Sequence, residues 1–176
     1  RRMRLSILIP VYNEERTVAA LLDRVLAVDL GAEKEILVVD DASTDGTARI
    51  LAGYADRVRL FRHPRNRGKG AALRTAFAHA TGDYVVPQDA DLEYEPADLR
   101  AMLETAASTG AEVVYGSRRL NRENRQYSAL SFFLGGVLVT WATNLLYGLR
   151  LTDEPTCYKL DRRDLMARME LQCEAR

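Results

Sequence analysis

Two carboxylates one residue apart, Asp89 and Asp91, give the sharpest chemical signal in this chain. In extended backbone, residues i and i+2 project to the same side, so both can face one ion. Paired hard oxygens suit Mg²⁺ or Mn²⁺, which in turn can hold a diphosphate. Glu93, one step further in the same alternation, is a candidate third oxygen ligand; the plainer reading of the segment is an acidic capping loop before Pro96. Asp40-Asp41 is a second acidic pair, able to accept hydrogen bonds from a base or ribose, or simply to cap the next helix. Gly68-Lys69-Gly70 opens a helical pattern, where free N–H groups and the helix dipole attract anions. Arg62, Arg65, Arg67 and Lys69 make that stretch locally basic. The loop is too short and wrongly spaced for a Walker A sequence, which excludes a P-loop ATPase. His63 and His79 are the only histidines, and neither has a nucleophile in a recognisable setting. No Gly-x-Ser-x-Gly occurs, so a hydrolase triad is not expected.

The elements that must carry these residues alternate. Apolar runs at 5–9, 35–39, 58–61, 84–86 and 112–115 read as strands, the first ended by Pro10. Between them, helical spacing predicts helices over 14–28, 47–54, 71–80 and 96–107, the last with proline in its first turn. Such alternation means an α/β domain with a mostly parallel sheet. Ligands of such sheets sit beyond the carboxyl ends of the strands. Five polar clusters fall there: Tyr12-Asn13-Glu14, Asp40-Asp41, Gly68-Lys69-Gly70, Asp89-Ala90-Asp91 and Gly116-Ser117-Arg118.

The 176 residues, of 19.8 kDa, make one domain able to bury roughly two-thirds of its unfolded surface. A composition of 47% hydrophobic and 28% charged residues excludes disorder, and the balance of 25 basic against 25 acidic side chains leaves no field to recruit nucleic acid. Cys157 and Cys173 lack a Cys-x-x-Cys pattern or a histidine partner, which argues against a zinc site or disulfide framework and for a reducing compartment. No secretory signal is read at Arg1-Arg2-Met3-Arg4. The sequence assigns no oligomeric state.

Taken together, these segments resemble a family 2 glycosyltransferase of the GT-A type. The resemblance rests on Ile9-Pro10-Val11-Tyr12-Asn13-Glu14-Glu15, Val38-Val39-Asp40-Asp41-Ala42-Ser43-Thr44-Asp45-Gly46-Thr47, Asn66-Arg67-Gly68-Lys69-Gly70 and Gln88-Asp89-Ala90-Asp91-Leu92-Glu93, spanning about residues 4–160. Gly116-Ser117-Arg118 and Leu151-Thr152-Asp153 to Cys157-Tyr158-Lys159 are similar to the polyprenyl-phosphate group, such as the dolichyl-phosphate mannose synthases. The resemblance implies a Rossmann-like, mostly parallel sheet flanked by helices, with residues 1–120 as the nucleotide-sugar-binding core and 121–176 as an acceptor and membrane-proximal helical segment of the same domain. It implies that Pro10, Tyr12, Glu14, Asp41, Gly68, Lys69, Gly70, Asp89 and Ala90 bind the nucleotide. Asp89, Asp91 and Glu93 would hold Mg²⁺ or Mn²⁺. Asp91, Arg118 and Lys159 would be catalytic, with Arg118 on the acceptor phosphate. Relatives often carry a second basic residue after Gly-Ser-Arg, in a helix that here holds no charge from 126 to 149. Relatives also continue beyond the point where this chain stops, so it is expected to be part of a longer protein.

The implied reaction is inverting, metal-dependent transfer from a GDP-mannose-type or UDP-glucose-type donor to a polyprenyl phosphate, on the cytoplasmic face of a membrane by a peripheral protein. The alternatives are a saccharide hydroxyl as acceptor, or a non-catalytic nucleotide-binding or receiver-like domain. A receiver begins with its acidic-pair strand, whereas here a strand precedes it. Pyrophosphorylases start with a glycine-rich loop, absent here, and the QxxRW motif of processive synthases is not matched by Trp141. The uncharged run of 24 residues at 126–149 exceeds the roughly 20 needed to span a bilayer. Its Ser, Thr and Gly content favours instead an amphipathic helix in the interface, with Leu130, Leu134, Val137, Leu138, Trp141 and Leu145 on one side. The competing expectation is a helix packed on the sheet as core.

Overall fold

The computed structural model describes residues 3–117 and 130–169, with side chains left out for 130–133. In chain order the elements are β1 (Arg4–Val11), α1 (Val18–Ala27), β2 (Glu33–Asp40), α2 (Thr47–Ala52), β3 (Arg59–Arg62), α3 (Lys69–His79), β4 (Tyr84–Pro87), α4 (Asp98–Thr109), β5 (Val113–Tyr115), α5 (Leu130–Tyr147), β6 (Lys159–Arg162) and α6 (Arg163–Met166). The strands form one sheet in the order β3-β2-β1-β4-β6-β5. β1 pairs parallel with β2 and β4, and β2 with β3, while β6 runs antiparallel to β4 and β5. The mostly parallel α/β sheet expected from the sequence is therefore present.

Alternation along the strands builds a core on each face. Leu5, Ile7, Ile9 and Val11 of β1 pack with Val18, Leu21, Leu22 and Val25 of α1 and Leu99, Met102 and Leu103 of α4. Leu8, Leu37, Val39 and Val85 face the other way, against Ala72 and Ala76 of α3. Alanine on that helix lets it lie close to the sheet.

Three expectations about the elements change. Pro10 does not end β1, which runs on to Val11. Leu8 C=O accepts Gln88 N–H on the β4 side and Val11 C=O accepts Asp41 N–H on the β2 side. Pro10, in phase with Leu8, thus faces the β4 side beyond the last β1–β4 pair, Leu8 with Pro87, where a missing N–H costs no ladder bond. The first helix starts at Val18 rather than at 14, because 15–17 form a turn and the N–H groups of Glu14 and Glu15 are held by Thr47, which opens α2, and by Asp45 just before it. β6 was not anticipated. It inserts between β4 and β5, so the segment after residue 120 contributes to the same sheet as the first half.

α5 is a helix, as expected, but it is not core. Leu134, Leu138, Trp141, Leu145 and Leu146 are exposed, whereas Thr140 is buried. Thr140 Oγ1 accepts Glu154 N–H, and the Asn144 side chain brackets the N–H and C=O of Leu151. The polar stripe faces the 151–154 segment and the large apolar side chains face outward. Among the described residues no helix is long and apolar enough to cross a membrane.

Candidate nucleotide and metal site

Strand order reverses between β1 and β4, where a doubly wound sheet opens a crevice at its carboxyl edge. A cleft of about 320 Å³ lies there, lined by Pro10, Val11, Tyr12 and Glu14 after β1, Asp41 after β2, Asn66, Gly68, Lys69 and Ala72 around the start of α3, and Asp89, Ala90 and Asp91 after β4. Four of the five polar clusters meet in it.

The β1 and β2 loops are knitted together. Asn13 N–H donates to Ser43 Oγ, and Asn13 Oδ1 accepts Thr44 N–H. Glu14 N–H donates to Thr47 Oγ1, and Glu15 accepts Gly46 N–H. Asn13 and Ala42 adopt positive φ of 55° and 62°, strain of the kind that accumulates at functional sites. Tyr12 faces outward, 46% exposed at the cleft wall.

Asp41 lines the cleft, but its oxygens are engaged from behind. Arg67 N–H reaches both, at 2.9 and 3.1 Å, and Gly68 N–H donates to Oδ2 at 2.7 Å. His63 Nδ1 lies 2.6 Å from Oδ1, and its Nε2 lies 2.8 Å from Thr75 Oγ1. Gly68 holds φ at 84°, which only glycine adopts without strain. Gly70 sits inside the first turn of α3 and is not part of the cleft wall.

At the opposite wall, Lys69 Nζ lies 2.6 Å from Asp89 Oδ1. Burial works against the Lys69 charge, but the bond to Asp89 and its charge outweigh this and hold the ammonium above its ordinary range. Asp91 is exposed, and its Oδ1 accepts Glu93 N–H. The Glu93 side chain lines a neighbouring cavity of about 560 Å³ with Glu95, Asp98, Tyr115 and Ser117, so the structure does not bring it to the Asp89–Asp91 pair. Among the described residues no three His, Cys, Asp or Glu side chains converge as a metal centre. Two carboxylates still fit a hard divalent ion that takes its remaining ligands from a diphosphate and water, and Lys69 shows that a cation already settles on Asp89.

The Cys157-Tyr158-Lys159 stretch meets the site differently from expectation. Lys159 begins β6, 3.4 Å from Glu154 Oε1 and 5.0 Å from the Tyr115 ring centre, away from the cleft wall. Its neighbours touch the acidic loop instead. Tyr158 O–H, its phenol pushed up by burial, donates to buried Gln88 Oε1. Cys157 N–H donates to Tyr94 O–H, and its thiol, beside Asp89, is pushed up to about 12 by burial and by the Asp89 charge. Arg118 falls outside the described residues. His63, Gln88 and Tyr158 are the site-supporting residues that spacing did not single out. Gln88 adjoins Asp89 in sequence, whereas the other two meet the site only through strand register.

A family model described as Glycosyl transferase family 2 matches residues 6–160. The undecaprenyl-phosphate 4-deoxy-4-formamido-L-arabinose transferase of Photorhabdus laumondii is 32% identical over 98% of this chain and 53% of its own, and that of Proteus mirabilis is 33% identical over the same shares. The chain thus spans about half the length of the curated relatives it matches. Among solved structures, the mannosyltransferase PcManGT of Pyrobaculum calidifontis, in complex with GDP-Man and Mn²⁺, is 32% identical over 66% of this chain and 36% of that one, with a TM-score of 0.58. Glucosyl-3-phosphoglycerate synthase of Mycobacterium tuberculosis covers 93% of this chain and 57% of its own at 22% identity, with a TM-score of 0.69, a likeness of fold. Fold, cleft and sequence thus agree: the chain belongs to glycosyltransferase family 2, with the GT-A fold.

Proposed function

We propose that this chain binds a nucleotide sugar in the β1–β4 cleft and transfers the sugar, with inversion, to a polyprenyl phosphate at the cytoplasmic face of a membrane. The observation that carries the reading is that Asp89 and Asp91 line one cleft with Lys69, whose ammonium lies 2.6 Å from Asp89 at the opening of α3. Carboxylates and an ammonium together suit a diphosphate bound with a divalent ion. Tyr12 and Pro10 offer the base an apolar wall, and Glu14 and Asp41 offer acceptors for base or ribose. A bound Mg²⁺ or Mn²⁺ on Asp89 and Asp91 supplies charge neutralisation for the departing nucleoside diphosphate. Lys69 holds the same anion. The names of the curated relatives support the polyprenyl-phosphate acceptor, and PcManGT supports a manganese-assisted nucleotide-sugar donor. A phosphate monoester has a second pKa near 6, so this nucleophile is largely ionised at neutral pH and needs little general-base help. Arg118 is assigned to orient it, Lys159 to a supporting role through Glu154, and Asp91 to the reacting diphosphate. In this reading residues 1–120 form the donor core, and 121–176 form the acceptor and membrane-proximal part, α5 resting its apolar face on the bilayer.

One observation favours a second acceptor class. The cavity beside Ser117 is lined by Glu93, Glu95 and Asp98, a sign that repels phosphate and suits hydroxyls. Partial burial and the neighbouring Glu95 hold the Asp98 carboxyl, at the exposed start of α4, above its ordinary range. The deciding experiment offers UDP- and GDP-sugars with Mn²⁺ to undecaprenyl phosphate and, separately, to soluble oligosaccharides. Product on the lipid phosphate, lost with EDTA, is expected. Product only on the oligosaccharide would move the acceptor to the second reading.

A further inference from the structure

We propose that His63 is a positioning residue of the nucleotide site, using its Nδ1–H to fix Asp41 so that Asp41 can hold the Arg67-Gly68 backbone and, through it, the start of α3. The inference rests on the nucleotide-sugar reading of the cleft and assigns a role within it to a residue outside the cleft wall.

Register brings the pair together. β2 and β3 run parallel with Asp40 opposite Arg62, and His63 N–H donates to Asp40 C=O at 2.9 Å. The next residues in each strand direction, Asp41 and His63, are therefore neighbours although 22 positions apart. Both are almost fully buried, with side chains 3% and 6% exposed. A carboxylate so placed persists only when its lone pairs are filled by donors. Backbone N–H groups of Arg67 and Gly68 meet part of that need, and His63 adds the buried side-chain donor on Oδ1.

The chemistry fixes the hydrogen. An ionised Asp41, receiving backbone N–H groups, can only accept, so Nδ1 carries the proton and donates. In the neutral ring Nε2 then accepts from the hydroxyl of Thr75, which belongs to α3. His63 thus ties two points of one unit: the loop before α3, through Asp41, and the second turn of α3, through Thr75. That unit carries Lys69, the cleft residue closest in type to a diphosphate clamp. Misplacement of such a clamp by about 1 Å costs on the order of a hundredfold. No proton transfer to substrate is assigned to His63.

The test uses side chains that separate the two ring nitrogens. In His63→Asn, the amide nitrogen stands as many bonds from Cα as Nδ1, and so keeps the donor to Asp41. In His63→Gln, the amide reaches toward Thr75 but leaves Asp41 without its donor. UDP and GDP are titrated calorimetrically with Mn²⁺ into wild type, His63→Asn, His63→Gln and His63→Ala, with thermal unfolding of each as control. The expected result is nucleotide affinity within about threefold of wild type for His63→Asn and about tenfold or more weaker for His63→Gln and His63→Ala. A purely structural histidine would give losses that follow thermal stability and show no rescue by asparagine. His63→Gln binding within threefold of wild type, His63→Asn falling as far as His63→Gln, or failure of both to fold would each overturn the assignment. If His63→Ala alone fails to fold, the Asn and Gln pair decides. Wild type that binds neither nucleotide would overturn the nucleotide-sugar reading itself, a result distinct from wild type that binds while the variants do not differ.

Discussion

The ammonium of Lys69 sits 2.6 Å from Oδ1 of Asp89, so the lysine that opens α3 neutralises the carboxylate that closes the acidic strand end. A divalent ion taking Oδ1 of Asp89 would displace that ammonium, which would then be free to meet a diphosphate oxygen. Lys69→Ala is therefore expected to act in opposite directions on two ligands. Mn²⁺ alone should bind up to about fivefold more tightly, the scale of a half-exposed ion pair. UDP or GDP with Mn²⁺ should bind about tenfold more weakly, for loss of a charged hydrogen bond. Calorimetry of both titrations checks it, and weaker binding of both ligands would contradict the exchange.

Removing the carboxylates themselves should separate metal from fold. Asp91→Ala is expected to lower Mn²⁺-dependent transfer by about a hundredfold or more, on the scale of metal-borne charge stabilisation. Asp91 is exposed, so the melting temperature should stay within about 2 °C. Asp89→Ala should act more mildly on transfer, because Asp91 remains, and should also free Lys69. Turnover of Asp91→Ala within threefold of wild type would remove the metal from this pair.

At the other edge of the sheet, Glu35 sets an acid limit on stability. Burial alone would raise its carboxyl, but hydrogen bonds from Ser6, Thr81 and Arg59 outweigh burial and hold it below the ordinary range. The unfolded chain therefore takes up this proton first as pH falls, starting near the free glutamate value of about 4.3. The stabilisation is fully present above that value and is lost as pH drops through the lower folded value. Glu35→Gln should cost about 1–3 kcal/mol at pH 7. It should also flatten the dependence of melting temperature on pH below about 5. A mutant that keeps the wild-type acid slope would assign that slope to other groups.

The outward face of α5 gives a membrane prediction. Leu134 and Trp141 are 57% and 61% exposed, so Leu134→Glu/Trp141→Glu should leave stability within about 1 kcal/mol. Each apolar side chain lost from a bilayer contact forfeits about 1.5–3 kcal/mol. Flotation with anionic liposomes should therefore fall at least tenfold in the double mutant. Equal flotation of the two folded proteins would take α5 off the membrane.

Read in one dimension, the residues already determined the class of fold and most of the cleft. Apolar runs at period two and helices at period 3.6 follow from local burial, and polar clusters just after parallel strands must share one edge of the sheet whatever the register. That is why Tyr12, Asp41, Lys69, Asp89 and Asp91 met as expected. Register, packing and long-range pairing carry no such local trace, and they decided the rest. The β2–β3 ladder placed His63 beside Asp41, because parallel strands bring together residues whose separation is set by a whole crossover. The insertion of β6 between β4 and β5 drew Lys159 away to Glu154 and put Tyr158 on Gln88, the latter a pairing across 70 residues that the alternation of Tyr158, Lys159, Leu160 and Asp161 hints at without naming a partner. Glu93 lines the neighbouring cavity instead, because the turn at 90–91 and the positive φ at Leu92 end the extended backbone that alternate side chains need to align. α5 turned its polar stripe inward because Thr140 and Asn144 found backbone partners at 151–154, which left the apolar face to whatever lies outside.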